Sequence, residues 1–290
     1  MRNVAIAVAC FLGFLAIFLS PTSFVEFGVQ AIKIILTSLI PTLLPFFFLT
    51  SLICGLNLFS AKNSGAVLFF ISVLCGYPTG AKTIHELYEN KTISRGAAVY
   101  YSTWTSFLSP IFVIAVVGTY FLGDTRLGVM ICASHILGAL PNALIFRGQV
   151  GRTETQSLET FGKEPRGILT RATREEKPLS VADTLTASLK SVAIVCGYVF
   201  LFFVFINQAF FILNYENQIL AGLLEITTGA SLAQDPYLVC AMVALGGVCI
   251  ALQSFVFMKS YRMPVKTYLL AKISQTIFAM LIFLFLYNAF

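Results

Sequence analysis

Long uncharged apolar stretches are the feature that most constrains this chain. The hydrocarbon core of a bilayer is about 30 Å thick, so a spanning helix needs roughly 20 mostly apolar residues, and several stretches of that length occur here. Hydrophobic residues make up 58% of the sequence and charged residues 11%, against about 25% charged residues in soluble proteins. The alternating segments of about 10 residues that are typical of transmembrane barrels are absent. The sequence therefore predicts an all-α polytopic membrane protein.

Cysteine and histidine are scattered along the chain rather than clustered. The seven cysteines lie in or beside apolar stretches, with no CxxC spacing and no Cys/His cluster at ligand spacing. We interpret them as small buried hydrophobic residues, and we expect neither a metal site nor a bound cofactor. His135 lies inside an apolar segment, where we expect a packed, hydrogen-bonded histidine rather than a proton relay.

A polar segment divides the chain into two membrane units. It runs from Arg147 to Ser180 and contains seven Lys/Arg and five Glu residues with glycines and two prolines, as a flexible linker does. Its mixed charges argue against nucleic acid as a partner. No small-x-small cleavage site precedes Ser20-Pro21, so the first helix is expected to be uncleaved. The predicted domains are an N-terminal transmembrane helix (1–22), a first repeat (23–147), a basic cytoplasmic linker (148–180) and a second repeat (181–290).

The two units resemble each other in sequence. EFGVQAIKIILTSLIPTLLPFFFLTSLI begins at Glu26 and DTLTASLKSVAIVCGYVFLFFVFINQ begins at Asp183, and each is an amphipathic start followed by a Phe-rich span. Two later pairs follow in the same order. They are Pro78-Thr79-Gly80-Ala81 with Thr227-Thr228-Gly229-Ala230, and Leu108 near Ser109-Pro110 with Leu252 near Gln253. The common order of these pairs indicates a duplication.

Loop charge predicts how the helices are oriented, because cytoplasmic loops are enriched in Lys and Arg. Two apolar segments, Ser64–Cys75 and residues 219–234, are too short to span and are predicted to form re-entrant hairpins. With the basic linker in the cytoplasm, corresponding helices of the two units run in opposite directions. This predicts two inverted repeats, the architecture of many secondary transporters. About seven spanning helices are expected, over residues 4–19, 27–57, 98–122, 127–146, 191–214, 237–257 and 267–288.

Four interruptions are expected in the apolar segments. They lie at Pro41 and Pro45, at Gly76 to Gly80, at Ser109-Pro110 and at Gly246-Gly247. Backbone at membrane depth must satisfy its own hydrogen bonds, so an interruption has to be buried in protein or line a wet cavity. Broken helices of this kind are predicted to meet near the bilayer midplane, where transporters bind their solutes.

Polar residues near these interruptions are the candidate solute ligands. Glu225 is the strongest, because an acid inside an uncharged membrane segment is a functional-site candidate; the alternative is an interfacial glutamate capped by Thr227 or Thr228. If Gly80 opens a helix, its amides would bind an anion with Lys82 adding charge; alternatively, Lys82 snorkels from a cytoplasmic turn. The predicted substrate-binding set is Tyr77, Thr79, Gly80, Lys82, Ser106, Ser109, Glu225, Thr227, Thr228, Gly229 and Gln253.

Neutral polar residues belong to the same set, and no enzyme signature accompanies them. Ser106, Ser109 and Gln253 would supply neutral hydrogen bonds, although serines also serve as small packing residues between membrane helices. The sequence contains no HExxH, GxSxG or P-loop motif, and its Gly-rich pieces lie in apolar spans rather than after strands. We therefore expect no enzyme activity.

Four segments carry a family resemblance. They are SLIPTLLPFFFLTSLI (38–53), GYPTGAKTIHELYENKTIS (76–94), GLLEITTGAS (222–231) and LGGVCIALQSF (245–255). In these segments the chain resembles the YlbJ-type sporulation integral membrane proteins, which carry paired nucleoside-recognition (Gate) domains. The resemblance extends from about residue 20 to residue 288. It implies a reduced form of the concentrative nucleoside transporter fold, with two inverted repeats of re-entrant hairpins and broken helices.

The resemblance also implies a function and a location. Family members are associated with moving dipicolinic acid toward the developing spore, which implies a small aromatic dicarboxylate as solute and a multi-pass bacterial membrane protein near the forespore. The chain departs from the family pattern at two places: Ser106 and Phe107 stand where paired asparagines are common, and Ala251 stands where histidine is common. Relatives of the fold can be trimeric, so a homo-oligomer is expected by analogy alone.

Two functions from different classes are therefore expected. The first is a membrane transporter of a small polar or anionic metabolite, which would be a dipicolinate-like dicarboxylate or a nucleoside-like solute. Its partners would be the solute and the lipid bilayer, and Na⁺ or H⁺ would be the coupling ion. The alternative is a membrane scaffold that binds a protein partner in spore morphogenesis and transports nothing. In that case the basic linker, rather than the hairpin tips, would be the sensitive region.

Cysteine accessibility tests the inverted arrangement. With Pro78→Cys and Thr228→Cys introduced one at a time into a chain whose native cysteines are replaced, a membrane-impermeant maleimide should label the first position only from the cytoplasmic side. It should label the second only from the outside, because the two re-entrant segments enter from opposite faces. Labelling of both positions from the same side would contradict the inverted arrangement.

Overall fold

All regular structure in the described part of the chain is helical. The computed structural model describes residues 2–56, 64–148 and 180–289, so most of the predicted linker lies outside the described residues. In chain order the helices are α1 (Arg2–Leu19), α2 (Pro21–Gly55), α3 (Ser64–Cys75), α4 (Thr79–Glu89), α5 (Arg95–Trp104), α6 (Phe112–Phe121), α7 (Thr125–Ile145), α8 (Val181–Leu213), α9 (Gln218–Leu224), α10 (Ile226–Leu232), α11 (Pro236–Leu245), α12 (Gly247–Met258) and α13 (Val265–Ala289).

Five candidate spans are long and apolar enough to cross a bilayer within the described ranges. They are α2, α7, α8, α11 together with α12, and α13. Helix α1 adds 18 residues, and α5 with α6 covers the predicted span 98–122 in two pieces. In contrast, α3 has 12 residues and α9 has 7, which is too short to span. The chain is an all-α polytopic membrane protein, as its composition predicts.

The predicted interruption at Pro41 and Pro45 is wrong. Helix α2 continues through both prolines, and a wider π-helical turn over Ile35–Leu39 lies immediately before the first of them. Membrane helices tolerate proline where local π adjustments and Ser or Thr side chains satisfy the freed backbone groups. The Thr42 hydroxyl donates to the Ser38 carbonyl over 2.7 Å in this region. The prolines therefore reshape a turn without ending the helix.

The two halves repeat one order of helices. In each half, a long helix is followed by a hairpin of two short helices, then by a span broken midway, and then by a closing helix. Helix α2 corresponds to α8, α3–α4 to α9–α10, α5–α6 to α11–α12, and α7 to α13. This order matches the duplication that the sequence indicates.

The opening helices of the two halves, α2 and α8, are antiparallel. Ser23 Oγ donates to Gln208 Oε1 over 3.0 Å. Further along α2, Gly28 faces the ring of Phe200, which precedes Gln208 in α8. Numbering therefore rises along one helix as it falls along the other, so these corresponding helices run in opposite directions.

The closing helices, α7 and α13, are antiparallel in the same way. Gly138 packs so closely on α13 that an added Cβ would lie 2.6 Å from the backbone nitrogen of Ala279. Further along α7, Asn142 Nδ2 donates to the carbonyl oxygen of Ala271 over 2.9 Å. Both pairs of corresponding helices thus have the relation that an inverted repeat requires.

Both central spans are broken where the sequence predicts. Helix α5 ends at Trp104, and residues 105–109 are unwound before α6 begins. Helix α11 ends at Leu245, and its continuation passes through Gly246 and Gly247 at φ values of 86° and 71°. Side chains rarely adopt this left-handed region, so glycine is what permits the second break. The first hairpin turns in the same way, with Gly76 at φ 71°.

Gly138→Ala tests the packing between the halves. Alanine normally stabilises a helix relative to glycine by about 1 kcal/mol, but here its Cβ would collide with the Ala279 backbone. Overpacking costs about 1–3 kcal/mol, so we expect the Tm in detergent to fall by roughly 3–8 °C. Gly197→Ala in α8 is the matched control, since a Cβ there meets nothing within 4 Å. Equal Tm values for the two variants would contradict the close contact.

Candidate functional site

Lys272 of α13 lies where the two broken spans meet. Its Nζ donates to the carbonyl oxygen of Ser106 over 3.3 Å and to Gln275 Oε1 over 2.6 Å. The same nitrogen lies 5.2 Å from the centre of the Tyr77 ring, in cation–π geometry. Its Cε would be 3.8 Å from a Cβ added to Gly246, so the side chain also borders the second break. Lys272 is only 2% exposed.

Gln275 and His135 extend this network to the backbone of the unwound segment. Gln275 Nε2 donates to the carbonyl oxygen of His135 over 3.1 Å, and His135 Nε2 accepts the Leu108 N–H over 2.9 Å. Both side chains are buried. The prediction that His135 is a packed, hydrogen-bonded residue is confirmed. Lys272 satisfies a carbonyl of the break and His135 satisfies an amide, as unwound backbone inside a bilayer requires.

The first hairpin contributes hydroxyl groups that have no partner. The Tyr77 hydroxyl lies beside Ser106 and Tyr268 without good hydrogen-bond geometry to either. Thr79 is fully buried, and its Oγ1 also lacks a hydrogen bond. A buried polar group without a partner costs roughly 1–3 kcal/mol. Ser72 Oγ in α3 and Glu86 Oε2 in α4 are also buried without a partner, so these two hydroxyls are among the hairpin atoms that are available to a solute.

Two glycines press the first hairpin against the unwound segment. A Cβ added to Gly80 would lie 3.1 Å from the Thr105 carbonyl oxygen, and one added to Gly76 would lie 2.4 Å from the Ser109 nitrogen. Ser109 Oγ accepts the backbone N–H of Phe112 over 3.3 Å, which caps the start of α6. The predicted Gly80 and Ser109 thus both lie at this contact.

Ser106 reaches the site through its backbone. Its side-chain hydroxyl donates to the Ser102 carbonyl over 2.9 Å, one turn back along the chain. Its own carbonyl, in contrast, accepts from Lys272. The hydroxyl is therefore already occupied, and the unwound backbone is the part of Ser106 that faces the network.

Lys82 has a different environment from the one expected. Its ammonium pairs with Glu86, one turn further along α4, and hydrogen-bonds Ser51 of α2. Ser51 Oγ also donates to Glu86 Oε1 over 2.6 Å, and the Phe47 ring lies 5.3 Å from Lys82 Nζ. The charge of Lys82 is thus paired and directed at α2. The sequence predicted neither this pair nor its direction.

Glu225 joins the two helices of the second hairpin. Its Oε1 accepts the Thr227 N–H over 2.8 Å, and its Oε2 accepts the N–H and the hydroxyl of Thr228 over 2.7 and 2.9 Å. Both carboxylate oxygens therefore cap the N-terminus of α10, where negative charge is favoured. This is the capping alternative, although the residue is buried rather than interfacial.

The second hairpin packs on the second break through glycines. A Cβ added to Gly229 would lie 2.2 Å from Gly222 Cα, so α9 and α10 touch there. A Cβ added to Gly247 would lie 3.0 Å from the Gly222 carbonyl oxygen. Gln253 lies further along α12, and its Nε2 donates to Cys249 Sγ over 3.2 Å. Glycine contacts therefore place the hairpin against the break that borders Lys272.

Lys272 and Gln275 are the site residues that sequence reasoning missed. An ionisable residue inside an apolar spanning helix is itself a functional signal, and Lys272 carried that signal. It lies less than two turns after Lys266, however, so in sequence it is indistinguishable from a lysine that snorkels to the interface. Gln275 gave no signal beyond its polarity.

The charge at this site has no carboxylate beside it. No acid in the described ranges lies within salt-bridge distance of Lys272 Nζ. The same ranges contain no group of three His, Cys, Asp or Glu side chains that could hold a metal ion. The site thus offers hydroxyls, backbone groups and the amine of Lys272, which suits recognition of a small polar solute.

Comparison with known proteins finds similarity to an integral membrane protein. The chain is similar to the sporulation integral membrane protein YlbJ of Bacillus subtilis (strain 168), with 24% identity over 293 aligned residues that cover 82% of this chain and 71% of the relative. No family model matches the chain, so the nucleoside-recognition (Gate) assignment stays a prediction. No solved structure matches it either. The similarity and the apolar helices identify a multi-pass bacterial membrane protein.

His135→Leu should destabilise the fold, because it removes the acceptor of the Leu108 N–H. A buried group left unpaired costs about 1–3 kcal/mol, so we expect the Tm in detergent to fall by roughly 3–10 °C. His135→Gln keeps a side-chain acceptor and should recover part of the loss. If the leucine variant unfolds at the wild-type temperature, His135 does not hold the break.

Proposed function

We propose that this multi-pass membrane protein, which is similar to a sporulation membrane protein, transports a small polar or anionic metabolite across a bacterial membrane during spore formation. The observation that carries the proposal is the convergence of both halves on one buried polar network. The first hairpin, both broken spans and a closing helix all meet at Lys272. Inverted halves with broken helices are typical of secondary transporters, which bind solute between the repeats.

Tyr77 and Thr79 are the residues best placed to bind the solute. Their hydroxyls are buried without a partner, and Thr79 opens α4, whose N-terminal dipole favours an anionic group. The ring of Tyr77 adds an aromatic face. These features support a dipicolinate-like dicarboxylate as the solute, with a nucleoside-like solute as the second candidate because its ring would stack equally well.

Transport would proceed by movement of the hairpins relative to the antiparallel helices that join the halves. Alternating access in inverted-repeat transporters is largely rocking of one unit against another around a fixed site. Gly76, Gly246 and Gly247 lie at the turns and have positive φ, and such positions absorb the backbone changes of a hinge. The proposed hinges therefore coincide with the breaks around Lys272.

Uptake into proteoliposomes tests this function. With labelled dipicolinate, nucleosides and small dicarboxylates offered in turn, we expect saturable uptake of at least one. Tyr77→Phe should raise the half-saturating concentration about three- to tenfold, because one hydrogen bond to the solute is lost. Tyr120→Phe is the matched control, since Tyr120 is 80% exposed on α6 and loses the same hydroxyl without contacting the interior.

The possible outcomes distinguish a failure of the transporter function from a failure of the assignment of Tyr77 to the solute. Absence of saturable uptake for every solute, with folded protein in the vesicles, would contradict the transporter function and favour a scaffold that binds a protein partner. Uptake that is equally strong in the Tyr77→Phe variant would instead remove this hydroxyl from the solute contacts.

A further inference from the structure

The Lys272 ammonium is surrounded by groups that bind cations. Its hydrogen-bond acceptors are the Ser106 carbonyl oxygen at 3.3 Å and the Gln275 amide oxygen at 2.6 Å. The Tyr77 ring lies 5.2 Å from Nζ and adds a π face. An ammonium has three N–H donors and no acceptor, so two of its donors are engaged by oxygens here and the ring adds a cation–π contact.

The backbone acceptor belongs to a broken helix. Ser106 lies in the unwound segment 105–109, between α5 and α6. In transporters with broken helices, unwound backbone carbonyls are the groups that coordinate a coupling cation such as Na⁺. Lys272 therefore occupies the kind of place that a free cation fills in other proteins of this architecture.

The positive charge at this place is balanced by dipoles alone within the described part of the chain. Two acids of the hairpins are engaged elsewhere, because the buried Glu225 caps α10 and the partly buried Glu86 pairs with Lys82. No described carboxylate lies within salt-bridge distance of Lys272. Neutral oxygens and a ring are the ligand set of a monovalent cation.

We propose that Lys272 is a tethered cation: its ammonium takes the place of a coupling sodium ion at the helix break. The unwound segment is then held without a bound metal ion, and transport needs no sodium gradient. Independence from a sodium gradient rests on the function proposed above, whereas the role of Lys272 at the unwound segment does not. Lys272 is thus a positioning residue that acts through the backbone of Ser106.

Thermal unfolding of the purified protein tests the role of Lys272 at the unwound segment. The wild-type Tm should be the same in sodium, potassium and N-methylglucamine chloride, because the tethered cation already fills the place. Lys272→Ala should lower the Tm by about 4–10 °C, since two buried oxygens lose their donor. Ethylammonium chloride should restore at least half of that loss, and tetramethylammonium, which has no N–H to donate, should restore none. Lys266→Ala, exposed on the same helix, should show neither loss nor rescue.

Two results of this experiment would overturn the proposal. One is an unchanged Tm in Lys272→Ala, and the other is a loss that ethylammonium fails to restore. If Lys272→Ala does not fold, the Tm of the wild-type protein in the different chloride salts is the test. A wild-type Tm that rises in sodium but not in N-methylglucamine would show a free sodium site and overturn the proposal, and equal values would support it.

Uptake by the wild-type protein tests whether transport is independent of a sodium gradient. Initial rates should agree within about twofold when N-methylglucamine replaces sodium outside the vesicles. Stimulation by sodium beyond that range would overturn the proposal and leave the transporter function intact. No uptake in any medium would contradict the transporter function instead, and the thermal results would still decide the role of Lys272.

Lys272→Gln separates a tethered cation from a residue that binds the solute directly. The probes are pyridine-2,6-dicarboxylate and its neutral analogue pyridine-2,6-dicarboxamide. A tethered cation predicts the same fold-change in uptake or binding for both probes. Selective loss of the dicarboxylate, with the diamide unaffected, would assign Lys272 to the solute and overturn the proposal.

Discussion

Backbone groups that leave a helix inside a bilayer have to find partners within the protein, because hydrocarbon offers none. In this protein the requirement is most acute in the unwound segment between α5 and α6. Lys272 meets the carbonyl of Ser106, His135 meets the amide of Leu108, and Gln275 connects the two side chains. These three side chains come from α7 and α13, so the closing helices of both halves are needed to hold a break in the first.

That dependence gives the inverted arrangement a structural purpose. An antiparallel pair of closing helices can place His135 opposite Gln275 only if the backbones approach closely, and Gly138 against Ala279 permits this approach. Asn142 adds to the same contact by donating to the carbonyls of Thr103 and Ala271, each over 2.9 Å. The helix that follows each broken span therefore serves both as membrane anchor and as support for the break.

Whether a polar residue is structural or available for binding depends on whether it already has a hydrogen-bond or ion-pair partner, and not on where it lies in the protein. Glu225 is the most conspicuous acid in the apolar segments, yet both of its oxygens are taken by the N-terminus of α10. Lys82 also has a partner already, because its ammonium pairs with Glu86. The hydroxyl oxygens of Tyr77 and Thr79 lack hydrogen bonds although both atoms are buried. In the proposed transporter the satisfied groups would maintain the breaks and the unsatisfied groups would recognise the solute.

The sequence by itself determined the membrane class, the two related halves, the short hairpins and the breaks at Ser109-Pro110 and Gly246-Gly247. Each of these depends on local chemistry: the apolar length of a segment, the backbone freedom of glycine, or the fixed φ and missing N–H of proline. Local chemistry was insufficient at Pro41 and Pro45, where a π turn keeps α2 continuous. Only the tertiary structure decided which side chains satisfy the breaks, because Lys272 and Ser106 are 166 residues apart and meet only when helices of both halves pack together.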